Sequence, residues 1–181
     1  TFRYYSDGPS LVIDSDGFIY NSVDLHIGGN TDVSIIGGIT GENTGNILNC
    51  RQYACIYGRG DIGGIAGRSS GYIYNSDNFG RIMYFLWDAS RSIGGVVGYQ
   101  SEGTIDYCYN YATISYDNPR NESRTLKPQM GAIVGHRKGT VTRYYNNGFV
   151  NIGTLHTVKW GLFFSHNQAM YAGNRAFGRE G

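Results

Sequence analysis

Short apolar runs bounded by Gly or Asn recur along this chain at a wide interval. In the clearest stretch the runs are Ile62 to Ala66, Tyr72 to Asn75 and Phe79 to Phe85. They are β-branched or aromatic, and helical periodicity is weak throughout. The pattern predicts about three short strands per repeat and an all-β fold.

The repeat itself is visible as GGITG at 37–41, GGIAG at 63–67, GGVVG at 94–98 and GAIVG at 131–135. A second Gly follows each copy, at Gly45, Gly71, Gly103 and Gly139. Two positions later stand Ile47, Ile73, Ile105 and Val141. Seven positions after that Gly stand Gln52, Asn78, Asn110 and Asn146, and eleven after it Ile56, Ile82, Ile114 and Val150. Residues 9–13 (PSLVI) and 160–164 (WGLFF) read as worn terminal copies, so repeats start near 9, 37, 63, 94, 131 and 160. In that frame Ile19 falls in the Ile47 column and Asp24 in the Gln52 column. Stacked repeats with atypical ends define a solenoid. The expected fold is a parallel β-solenoid (β-helix) of about six rungs with degenerate terminal rungs, forming one domain over 1–181. The polar stretch 115–130 reads as a loop insertion on one corner.

GG[IV]xG, a short loop, then GxIxN with a later Asn resembles the GLUG repeat. That repeat occurs in bacterial surface and secreted proteins, including adhesins and the non-catalytic region of IgA-specific metallopeptidases. The resemblance covers 37–150 and implies an extracellular or cell-surface module; it does not imply an activity, and no catalytic residue is carried over. No HExxH is present, so the metallopeptidase chemistry of larger members is not expected.

Composition narrows the function classes. Fifteen Lys and Arg against fourteen Asp and Glu give a net charge of +1, which offers no basic field for a nucleic acid. No run approaches the roughly 18 apolar residues of a membrane helix, so no membrane insertion is expected. The first residue is Thr1 and no charged-then-apolar leader follows, which reads as a processed or excised segment. The 28 Gly lack a collagen period, and the paired positions such as Gly63–Gly64 read as sites of close backbone approach or positive φ. A phosphate-cradling loop needs a helix after it, and strands follow here.

Each candidate column has a structural and a functional reading. Gln52, Asn78, Asn110 and Asn146 form an amide ladder, with corner-forming φ or sugar binding as the other uses of such amides. Ile47, Ile73, Ile105 and Val141 form a buried stripe. Tyr53, Phe79 and Tyr111 form an aromatic stack. Glu42, Arg68, Glu102 and Arg137–Lys138 alternate in sign and are expected to pair between rungs. Cys50 and Cys108 sit two rungs apart, roughly 9–10 Å, beyond disulfide reach. Both are expected as free buried thiols, while bonding of Cys50 to Cys55 stays open. Asp61, Asp106, Arg59 and Arg68 are the residues a polysaccharide-cleaving wall would recruit, although no repeated carboxylate pair accompanies them. Asp14 and Asp16 lack the remaining ligands of a calcium loop, so neither metal nor cofactor is expected. Tyr20 and Tyr74 alternate outward, and with Trp160, Phe163 and Phe164 they form the expected interaction surface.

These readings point to a non-enzymatic structural or adhesive module. Open solenoid edges invite head-to-tail self-association into a filament, or contact with surface proteins and glycans. The rival reading is a carbohydrate-binding or polysaccharide-cleaving β-helix.

Overall fold

A computed structural model describes residues 35–85, 91–117 and 129–151, and the short strands 3–5, 12–13, 19–20, 26–29, 159–161 and 176–178. The described chain is all strand, and the strands stack in parallel as a β-solenoid. One complete rung comprises Asp61–Gly63, Ala66–Ser69, Tyr72–Tyr74, Asp77–Asn78 and Ile82–Phe85. These five strands belong to five separate sheets, called sheets 1 to 5 in that order. The three stretches expected per rung thus resolve into five. The run 62–66 breaks at Gly64–Ile65, and 79–85 is preceded by a separate strand at Asp77–Asn78.

Four rungs are complete, beginning at Ile35, Asp61, Ser92 and Gln129. Their register joins Ile47, Ile73, Ile105 and Val141 in sheet 3. It joins Gln52, Asn78, Asn110 and Asn146 in sheet 4. Ile56, Ile82, Ile114 and Val150 align in sheet 5.

The interior has two apolar compartments. One lies between sheets 1 and 5 and contains Ile36, Ile56, Ile62, Ile82, Ile93 and Ile114. The other is lined by sheets 2 to 4 and contains Ile47, Ile65, Ile73, Val97, Ile105 and Val141. The buried amides of sheet 4 run alongside both. Asn78 Nδ2 donates to Asn110 Oδ1 at 2.9 Å, and Asn110 Nδ2 donates to Asn146 Oδ1 at 2.8 Å. Each Asn also closes its own corner, as where Gly80 N donates to Asn78 Oδ1 at 3.0 Å.

This ladder explains the paired glycines. A Cβ on Gly64 would lie 2.4 Å from Asn78 Cγ, and one on Gly95 would lie 2.4 Å from Asn110 Cγ. The second Gly of the motif makes room for the amide of its own rung. Close approach alone accounts for Gly63–Gly64 and Gly94–Gly95, since neither pair has positive φ. The left-handed corner lies elsewhere, at Asn49, Asn75, Tyr107 and Arg143, three residues before the amide column. A second, shorter amide ladder runs there, with Asn75 Nδ2 donating to Asn49 Oδ1 at 2.8 Å.

The ends depart from the repeat frame. Ile19 pairs with Cys50 rather than Ile47, a three-residue offset. Val12–Ile13 pairs antiparallel with Ile19–Tyr20 instead of opening a rung. Gly161, not Trp160, aligns with Gly131. Arg3–Tyr5 lies antiparallel to His26–Gly29, and Ala176–Gly178 lies antiparallel to Tyr144–Asn146. The worn copies therefore contribute partial rungs and reversed edge strands. The stretch 115–130 also begins and ends in strand, with Ser115 paired to Met83 and Gln129 to Ser92.

Candidate functional site

The left-handed corner of rungs 3 and 4 carries the densest outward chemistry. Tyr107 and Arg143 take φ of 54° and 46°, a conformation that disfavours both residue types. The same turn places Arg143 Nε 2.7 Å from Asp106 Oδ1, with Arg143 Nη2 on Oδ2. Thr142 Oγ1 donates to Asp106 Oδ1 at 2.8 Å. The guanidinium also lies 4.3 Å from the Tyr107 ring centroid. These bonds, led by the one from Arg143, hold the Asp106 carboxyl below its usual range. An acid held this way is anionic and fully engaged.

Aromatic rings flank the corner. Tyr53, Phe79 and Tyr111 stack with centroids 4.8 and 4.7 Å apart and planes within 8°. Phe79 uses both ring faces in this stack, so ring edges meet solvent. That arrangement supports the rungs and leaves Phe79 no free flat face on which a sugar would lie. Tyr74 is half-buried, stacked on Tyr72 at 6.0 Å and edge-on to Tyr107 at 5.9 Å. Tyr145 closes the far side edge-on to Tyr111 at 5.9 Å.

Asp77 sits on the next strand with its Oδ2 3.9 Å from Arg51 Nε. Burial pushes its carboxyl up to about 6, with Arg51 opposing. Its Oδ1 has no hydrogen-bond partner. The three thiols are free. Cys108 is fully buried, and burial pushes it up to about 12. Cys50 is raised for the same reason. Neither has the lowered value of a nucleophile.

Arg68 is the main departure from the expected charge pattern. In register it faces Glu42 on one side and Tyr99 on the other, not Glu102. The turn between the two Gly landmarks is one residue longer in rung 3, which carries Glu102 beyond the strand. Arg68 bonds within its own rung, with Nε 2.7 Å from Asp61 Oδ2. Asp61 and Asp106 therefore belong to separate ion pairs.

Of the expected interaction residues, Tyr74 lies on the aromatic face described above. Tyr20 pairs in strand register with Arg51, and Trp160 with Met130. Phe163, Phe164, Asp14, Asp16 and Asp24 lie outside the described residues. The Tyr107–Arg143 corner was missed by sequence reasoning. Its signal was the Asn49–Asn75 column, which continues into Tyr107 and Arg143 at the same offset from the second Gly.

No family model, curated protein or solved structure matches the chain. The likeness to GLUG repeats therefore rests on the repeat residues themselves.

Proposed function

We propose that the chain is a non-enzymatic structural or adhesive repeat module of the extracellular or cell-surface kind. The observation that carries this reading is the continuous amide ladder Asn78–Asn110–Asn146, with every member buried. The most regular polar groups of the repeat bond rung to rung. The buried carboxylates Asp61, Asp77 and Asp106 each face an arginine. Surface location follows from the GLUG resemblance.

Self-association belongs to the same proposal. Among the described residues, sheets 2 and 3 end in Thr40–Asn43 and Asn46–Leu48 on one side and Val134–Arg137 and Thr140–Thr142 on the other. Such edges pair with further strands. Sedimentation at rising concentration is expected to show species larger than the 20.0 kDa chain. A single monomer at every concentration would remove the filament part of the reading.

The rival, a carbohydrate-binding or polysaccharide-cleaving β-helix, is separated by product analysis. Incubation with neutral and acidic polysaccharides is expected to release no new reducing ends and no unsaturated products. Release that disappears in Asp61→Asn or Asp77→Asn would overturn the non-enzymatic reading.

A further inference from the structure

A groove of about 450 Å³ lies where sheets 1 and 2 meet across rungs 2 to 4. One wall is the register column Asp61, Ser92 and Gln129. The other is the column Arg68, Tyr99 and His136. Each residue of the second column follows its partner by seven positions, so one turn geometry builds all three levels.

The walls are held in place by their own bonds. Asp61 Oδ2 accepts from Arg68 Nε, and its Oδ1 accepts from Ser92 N at 3.0 Å. That acid has both oxygens engaged. His136 Nδ1 is hydrogen-bonded to Gln129 Oε1, and its ring stacks on Tyr99 at 4.8 Å. The Arg68 guanidinium lies 6.0 Å from the Tyr99 centroid, and Lys138 Nζ lies 5.5 Å from it.

Arg91 also lines the groove. Its Nε is buried without a hydrogen-bond partner among the described residues. A desolvated donor of this kind is unfavourable until an acceptor reaches it. Three cations, Arg68, Arg91 and Lys138, thus face the groove or its rim. Asp61 already neutralises Arg68, and among the described residues Glu42, exposed one rung below, is the other acid on that wall.

We propose that this groove binds the anionic group of an acidic saccharide, with Arg91 and Arg68 meeting a carboxylate or sulfate. Guanidinium groups match both oxyanions with paired donors. Ser92 and Gln129 stand where they meet hydroxyls. The groove spans two rung spacings, roughly 10 Å, and its volume falls in the range of about 300–1,000 Å³ typical of small-ligand sites. An extended peptide is disfavoured along most of the groove. In rungs 2 and 3 the strands of both walls already pair on each side, and only the rung-4 strand Val134–Arg137 offers it an edge, which the triglutamate probe tests. The assignment deepens the adhesive half of the proposed function and rests on it.

Calorimetry at low salt tests the site with four probes: a galacturonic-acid trisaccharide, its neutral galactose counterpart, a sulfated disaccharide and a triglutamate peptide. At least one acidic saccharide is expected to bind, and comparing the two tells carboxylate from sulfate. Arg91→Gln and Arg68→Gln are each expected to weaken that binding at least tenfold, with Tyr145→Phe, outside the groove, unchanged. Arg68→Gln leaves Asp61 unpaired and risks the fold. Arg91→Gln removes the buried Nε that lacks a partner, and the melting temperature is expected not to fall. Absence of binding, equal binding of the neutral sugar or the peptide, or full binding by Arg91→Gln would overturn the proposal. A failed groove with no product release leaves the structural module standing. Turnover of a bound acidic probe would instead overturn the non-enzymatic reading.

Discussion

Asn110 bonds in three directions at once. Its amide reaches Asn78 below, Asn146 above and the backbone of Ala112 in its own corner. Removing it leaves buried Asn78 Nδ2 without its acceptor, a loss of about 1–3 kcal/mol, and takes from Asn146 Oδ1 one of the two donors it accepts from, the other being Gly148 N. Asn110→Ala is therefore expected to lower stability by roughly 3 kcal/mol in urea unfolding, and more than Asn146→Ala, which disturbs one neighbouring amide. The left-handed column is tested separately. Asn75→Gly loses the bond to Asn49, whereas Asn75→Ala also places a Cβ residue at φ 49°. The gap between the two variants is expected to be about 1 kcal/mol, with Gly the more stable. Asp77 gives a pH signature. Its carboxyl, raised to about 6 by burial, binds more protons folded than unfolded between about pH 4 and pH 6. Its contribution therefore becomes less favourable as pH rises from about 4 to 6 and stays so above. Asp77→Asn is expected to raise stability at pH 7 by about 1–3 kcal/mol and to flatten that slope. Asp106 acts in the opposite sense: its lowered value adds stability above about pH 4 that is lost on further acidification.

A single strand here is only two to four residues long, so each rung depends on its glycines and corners. Gly64 shows the dependence. A Cβ there would meet Gly95 O at 2.1 Å as well as Asn78 Cγ at 2.4 Å. Gly64→Ala is expected to cost about 1–3 kcal/mol by thermal or urea unfolding. Ala132 occupies the equivalent position in rung 4, so the cost belongs to rungs 1 to 3, where Gly38 and Gly95 show the same close approach. Register was legible at this scale because the Ile and Asn columns recur at constant offsets from the second Gly. Strand number was less legible. Gly64–Ile65 and Gly80 interrupt apolar runs without changing their composition, so five strands read as three. Charge pairing was misread where rung 3 gains one residue before Gly103. The Arg68–Asp61 bond runs across a turn, along a direction that a column comparison does not sample.

Across the whole molecule, the two apolar compartments and the amide line between them give four rungs one continuous interior. The ends behave differently. Among the described residues, reversed strands form the outer edge of sheets 4 and 5 on the first side and of sheet 4 on the last, so those edges no longer present a rung in register. The terminal copies misled sequence comparison because reversed strands keep apolar character but not register. The groove was partly legible, since Asp61 and Arg68 stood out as chemistry-bearing residues. Its other members, Arg91, Ser92, Tyr99, Gln129 and His136, join them only when the rungs stack. All of these readings depend on rungs stacked in one register. Methyl nuclear Overhauser spectra of the 181-residue chain test that register most directly. The stack predicts cross-peaks in the order Ile47–Ile73–Ile105–Val141 and Ile56–Ile82–Ile114–Val150, each residue meeting its immediate neighbours. Strong cross-peaks between Ile47 and Ile105, or between Ile56 and Ile114, with the intervening residue silent, would contradict it.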